Sequence, residues 1–112
     1  MLHCNMNAGL PLSQQLDLQD ILGSMRYARR TGDMARLLSL TYWDVRKWAR
    51  WAHRDALASR AGDLVRDQPQ PSREAFLAIV DDVIRELDRI CVESARADQG
   101  SPQGNAAPGS GN

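Results

Sequence analysis

GDMARLLSLTYWDVRKWARW, residues 32–51, is the stretch whose reading decides the fold. Its apolar side chains fall at Met34, Leu38, Leu40, Val45 and Trp48, with small ones at Ala35 and Ser39. A polar face carries Tyr42, Trp43, Arg46, Lys47 and Arg50. Two foldings fit this pattern. In one, a short helix capped by Asp33 or Thr31 runs to about Leu38, residues 39–41 turn, and a second helix continues from Tyr42 to about Ala61. Thr41 and Asp44 then form a start signal, with the carboxylate near the positive end of the second helix. In the other, one helix runs from Met34 past Ala61. Its stripe is Met34, Leu38, Thr41, Val45, Trp48, Ala52 and Ala56, at steps of three and four. The single wheel leaves Leu40, Trp43 and Trp51 off that stripe, an exposed apolar patch in need of a partner. A turn at residues 39–41 points Leu40 inward instead, and the broken reading is preferred on that ground.

The flanking segments are helical too. A helix is expected from Leu12–Ser13, with Ser13 as N-cap, and Leu18, Ile21, Leu22, Met25 and Ala28 make its apolar face. Arg26, Arg29 and Arg30 load its last turns with positive charge, which suits the negative end of the helix dipole. Thr31, Gly32 and Asp33 read as a turn followed by a new N-cap. Residues 56–66 are alanine-rich, with a thin stripe. Pro69 and Pro71 stop that helix, because each lacks an N–H donor and disfavours helix before it. Ser72 then caps the strongest helix of the chain, whose apolar face is Phe76, Ile79, Val80, Val83, Leu87, Ile90 and Cys91, ending near Ala95. Residues 1–11 read as a flexible leader and residues 98–112, rich in Gly, Pro, Ser and Asn, as a disordered tail. The expected fold is therefore all-α, a small bundle of three to five helices forming a single domain over residues 12–97.

Formal net charge is zero, but it is unevenly spread. Residues 26–66 hold ten Arg or Lys against four Asp, a balance of +6, whereas residues 67–98 hold eight acids against four Arg, a balance of −4. The zero total argues against a general polyanion binder. The asymmetry leaves room for local phosphate contact, or for pairing between the two segments within or between chains. Four of the six aromatic rings lie in residues 42–51, which marks that segment for packing, for recognition, or for both. Cys4 and Cys91 form no CxxC pattern, so neither a disulfide framework nor a zinc site is expected. The longest apolar run, residues 75–80, is far short of a membrane span. A cytoplasmic protein without membrane contact is the expectation.

The spacing in about residues 32–51 resembles the helix-turn-helix motif of DNA-binding proteins. In that motif the first helix presents a small residue, a Gly or small residue follows in the turn, and a branched apolar residue locks the recognition helix. Ala35, Ser39 and Val45 match those places, and Leu38, Leu40 and Trp48 match the accompanying apolar ones. The resemblance covers about twenty residues and reaches a superfamily rather than one family; Ser39 departs from the usual Gly. It implies a second helix lying in the major groove of double-stranded DNA. Thr41, Tyr42, Trp43, Arg46, Lys47 and Arg50 would then face the duplex, with Arg46 and Arg50 reading guanine and Lys47 holding phosphate. Arg26, Arg29, Arg30 and Arg36 would add phosphate contacts. The wide apolar face of the helix after Ser72 would suit pairing with a second copy, as a symmetric operator asks, or would close the core of a monomer.

Signatures of catalysis are missing from the sequence. His3 lies in the leader, His53 has no acid or nucleophile arranged around it, and no glycine-rich phosphate loop occurs. No cofactor or metal is called for. The first expectation is thus a dimeric DNA-binding transcriptional regulator. The second is a non-catalytic adaptor, chaperone or inhibitor binding a protein partner through Leu40, Trp43 and Trp51. Arginine loss should damage the first, and Trp43 loss the second.

Overall fold

A computed structural model describes residues 10–66 and 72–100. The expected leader up to residue 9, the proline stop at residues 67–71 and the tail from residue 101 lie outside the described residues. Six helical segments follow one another among the described residues: α1 (Leu12–Thr31), α2 (Met34–Ser39), a π-helical turn (Leu40–Val45), α3 (Arg46–Trp51), α4 (Asp55–Arg66) and α5 (Arg73–Gly100). The described chain is all-α, as the periodicity requires. α5 extends five residues past the Ala95 end expected from its apolar stripe.

α1 begins after Pro11 rather than on a Ser13 cap. Pro11 has extended backbone (φ −54°, ψ 150°), and Ser13 falls inside the first turn. The start is held by Gln15, whose backbone N–H donates to the Pro11 carbonyl at 3.0 Å while its side-chain amide donates to Leu10 O at 2.6 Å. The other end follows the expectation. Gly32 takes left-handed backbone (φ 72°), and the Gly32 and Asp33 N–H groups return to the Arg29 and Ala28 carbonyls. That double bond is the Schellman stop, which glycine adopts without a clashing Cβ. Asp33 then caps α2 by accepting from Arg36 N–H at 3.0 Å.

The expected turn at residues 39–41 is not formed. Ser39, Leu40, Val45 and Arg46 all keep right-handed helical backbone, so residues 34–51 make one uninterrupted rod. Leu40 nevertheless points inward, 4% exposed. The π turn is the reason. Leu40 and Ala49 are both buried, and at about 100° per residue they would stand about 180° apart on a plain α-helix. A π turn closes its bonds one residue further along. The wider turn rotates the second half of the rod back toward the first. Leu37, Leu40, Thr41, Val45, Trp48 and Ala49 then share a narrow inward arc, all buried.

The rod also stops earlier than either sequence reading had it. α3 ends at Trp51, where His53 takes left-handed backbone (φ 59°). His53 and Arg54 N–H return to the Arg50 and Ala49 carbonyls at 3.2 and 2.7 Å, the same stop as at Gly32 but with histidine in the glycine place. α4 then starts afresh and buries Leu57, Ala61 and Leu64. After the undescribed stretch, Ser72 Oγ accepts from Ala75 N–H at 3.0 Å and caps α5, as its sequence position implies.

α1 and α4 both pack on α5, and the rod lies against α1 and α4. The core joins Leu18, Leu22 and Met25 of α1 with Val80, Val83, Leu87 and Ile90 of α5 and with the inward arc of the rod. The wide apolar face of α5 is consumed here, closing the core of one chain. Ion pairs line the α1–α5 seam: Arg26 to Asp88 at 2.6 Å, and Arg29 to both oxygens of Asp81 at 2.9 and 3.3 Å. Pairing between basic and acidic segments, one of the options left by the charge asymmetry, occurs within the chain.

Candidate functional site

The rod presents to solvent what it does not bury. Trp43 is 65% exposed and Trp51 46%, and Asp44, Lys47 and Arg50 are exposed between them. Two open grooves meet on this face. One is lined by Tyr42, Trp43, Asp44, Arg46, Lys47 and Arg50; the other by Asp17, Asp20 and Ile21 of α1 with Asp44, Lys47, Trp48 and Trp51 of the rod. Asp44 and Lys47 belong to both. The two indole rings therefore flank a shared charged centre, with a cationic groove on one side and an anionic groove on the other.

Each ring owes its position to a distinct local cause. Trp43 lies in the π turn, where it packs edge-to-face with Tyr42, ring centroids 4.9 Å apart and planes at 81°. Trp51 is held at the foot of the rod, where Gln14 Nε2 donates to its carbonyl at 3.4 Å. Beneath them Trp48 is buried, and its indole N–H donates to Gln14 O at 2.9 Å. That bond satisfies the one polar atom of a ring otherwise spent on packing, and it ties the rod to the first turn of α1.

The residues expected to meet DNA are scattered by this arrangement. Thr41 is fully buried, its hydroxyl directed at Met25 Sδ at 3.5 Å, so it faces the core and not a duplex. Leu40, expected in a protein-binding patch, is likewise core; the π turn rotates both inward. Arg46 is stacked over Tyr42, its guanidinium carbon 4.3 Å from the ring centroid, and its side chain passes α4 at Gly62. Arg26 and Arg29 are engaged by α5 carboxylates. Arg30 lies over the Tyr27 ring at 5.5 Å, and Arg36 is exposed at the far end of the rod. Tyr42, Trp43, Lys47 and Arg50 do come together, and Lys47 and Arg50 make no ion pair among the described residues. Asp44, expected only as part of a helix start, completes the face with Asp17 and Asp20; the latter two were missed in the sequence because nothing in the spacing of α1 tells which side of the rod it will meet.

Comparison with protein-family models, with curated proteins and with solved structures finds no match to this chain.

Charged groups elsewhere serve the frame. Between α4 and α5, Arg60 bonds Asp82 at 2.5 Å and Asp63 at 3.2 Å, and Arg85 also reaches Asp82. The Arg60 hydrogen bond, opposed by partial burial, holds the Asp82 carboxyl below its ordinary range. On α5, Arg89 does the same for Glu86. Burial first, and Asp88 second, push the Cys91 thiol up, so Cys91 is not set up as a nucleophile. No group of three or more His, Cys, Asp or Glu among the described residues is arranged to hold a metal ion, and no described helix is long and apolar enough to cross a membrane.

Proposed function

We propose that this chain is a non-catalytic protein-binding module of the cytoplasm whose working surface is the Trp43–Lys47–Arg50–Trp51 face. The observation that carries the reading is a pair of exposed tryptophans on one rigid rod, with arginine and lysine between them. Trp and Arg are the residues that most often dominate association energy, and a ring already held in place loses little freedom on binding. Trp43 is so held by Tyr42.

The test is affinity capture with the intact chain as bait, compared with Trp43→Ala and Trp51→Ala baits. Each substitution is expected to weaken the captured complex by roughly 2 kcal/mol. Retention of the same partners by both variants would refute the assignment of this face.

A second reading keeps the nucleic-acid expectation, and one observation favours it: Lys47 and Arg50 stand beside Trp43 without acid partners among the described residues. Under it the chain regulates transcription through the Tyr42–Arg50 groove without the helix-turn-helix geometry. Duplex DNA titrated at two salt concentrations separates the readings. Steep salt dependence is expected if several phosphates are engaged, with a loss of about 1–3 kcal/mol on Arg50→Ala. Absence of binding at low salt removes this reading.

A further inference from the structure

We propose that the Trp43–Trp51 face is matched to a second copy of itself, two rods crossing antiparallel about a two-fold axis at Lys47. The inference rests on the binding-face reading above and names its partner. Along the rod, Trp43 and Trp51 stand four residues either side of Lys47, and Asp44 and Arg50 stand three residues either side. A two-fold axis through Lys47 therefore sets Trp43 of one protomer against the partner's Trp51, and Asp44 against the partner's Arg50. Symmetry makes each contact twice, which is the self-complementarity an isologous interface needs.

The grooves agree with this register. The cationic groove beside Trp43 and the anionic groove beside Trp51 lie on opposite sides of the shared Asp44–Lys47 centre. A two-fold rotation lays each over its opposite. A face of this kind attracts its own image, where a face of one sign would repel it. The one like-charge meeting is Lys47 at the axis. Its flexible ammonium has Asp17, Asp20 and Asp44 in the same groove to receive it. One short rod and the rim of α1 make a small interface, below the standard size of stable complexes, so a dissociation constant on the order of 10 µM is expected.

Sedimentation velocity across about 1–500 µM reads the association directly. The wild-type chain is expected to pass from monomer to dimer over that span. Asp44→Arg sets arginine against arginine at both symmetric contacts, and Arg50→Asp sets acid against acid. Each should weaken dimerisation at least about tenfold while leaving the circular dichroism of the fold unchanged. An equimolar mixture of the two variants restores both opposite-charge contacts and should dimerise again, as should the chain carrying both changes. Lys47→Leu, which removes the clash at the axis, should tighten the dimer.

A chain that stays monomeric throughout overturns the pairing, and the capture experiment with Trp43→Ala still decides the binding face independently. A dimer indifferent to both single charge variants, or variants whose mixture fails to recover, overturns the register. A dimer unaffected by Trp43→Ala and Trp51→Ala pairs through another surface and overturns the proposal, while the capture experiment still decides the binding face.

Discussion

His53 holds the position that glycine fills at Gly32. Both end a helix through the same pair of returning N–H bonds, but histidine carries a Cβ into left-handed backbone, a conformation that disfavours it by about 1 kcal/mol or more. His53→Gly should therefore stabilise the chain by about 0.5–1 kcal/mol in a urea melt, the gain reduced by the greater freedom of glycine when unfolded. Gly23 presents the opposite case. It sits inside α1, and a Cβ there would meet nothing within 4 Å. Gly23→Ala should add about 0.5–1 kcal/mol, again readable as a shift in the urea midpoint. At Trp48, Phe substitution keeps most of the ring but leaves the Gln14 carbonyl without its indole donor. A loss of about 1–2 kcal/mol is expected, and a midpoint equal to wild type would show that the bond contributes nothing.

The π turn is the element that decides where every side chain of residues 34–51 points. It holds about one residue more than an α-helical turn over the same angle. Deleting Asp44, an exposed residue within it, should let the turn relax to ordinary α-helix with both halves of the rod still facing the core. Deleting exposed Gln19 from α1 has no such release, since about 100° of rotation would carry Leu22 and Met25 off the core. Thermal melts should show the first deletion folded and the second not. This element was also where the sequence was least legible. Steps of three and four fit a straight helix, a broken helix and a π-containing helix alike, and only tertiary packing chooses among them. α1 and α5 were readable because Leu18, Leu22, Met25, Val83, Leu87 and Ile90 recur at strict helical steps. Gly32 and Ser72 announced their caps by chemistry. The stop at Trp51 was hidden because His53 is neither Gly nor Pro. At the candidate site, the exposure of Trp43 and Trp51 follows from their place off the apolar stripe. The burial of Thr41, the engagement of Arg26 and Arg29 by α5 and the arrival of Asp17 and Asp20 depend on neighbours distant in sequence.

At the scale of the molecule, carboxylates of α5 clamp α1 and α4 to it. Asp82 and Glu86 have pKa values lowered in the folded chain by Arg60 and Arg89. A lowered carboxyl pKa contributes stability that is present above the unfolded value, near about 4, and is lost as pH falls through the folded value. The melting temperature should hold from neutrality to about pH 5 and fall toward about pH 3. Asp82→Asn should flatten part of that fall, and high salt should do likewise, because these pairs are solvent-accessible and screened. An acid slope unchanged in Asp82→Asn would show that the α4–α5 clamp carries none of it.

The α1–α5 seam has a consequence for synthesis. Leu10 N–H reaches Ser94 Oγ at 3.2 Å, and Arg26 and Arg29 find their acids at Asp88 and Asp81. The helix translated early is thus covered by the one translated late. While a ribosome is still adding residues 73–94, the apolar face of α1 has only the rod to lie on. A nascent chain paused there would show Leu18, Leu22 and Met25 to chaperones and to proteases alike, and native burial of those side chains would come only as α5 is released.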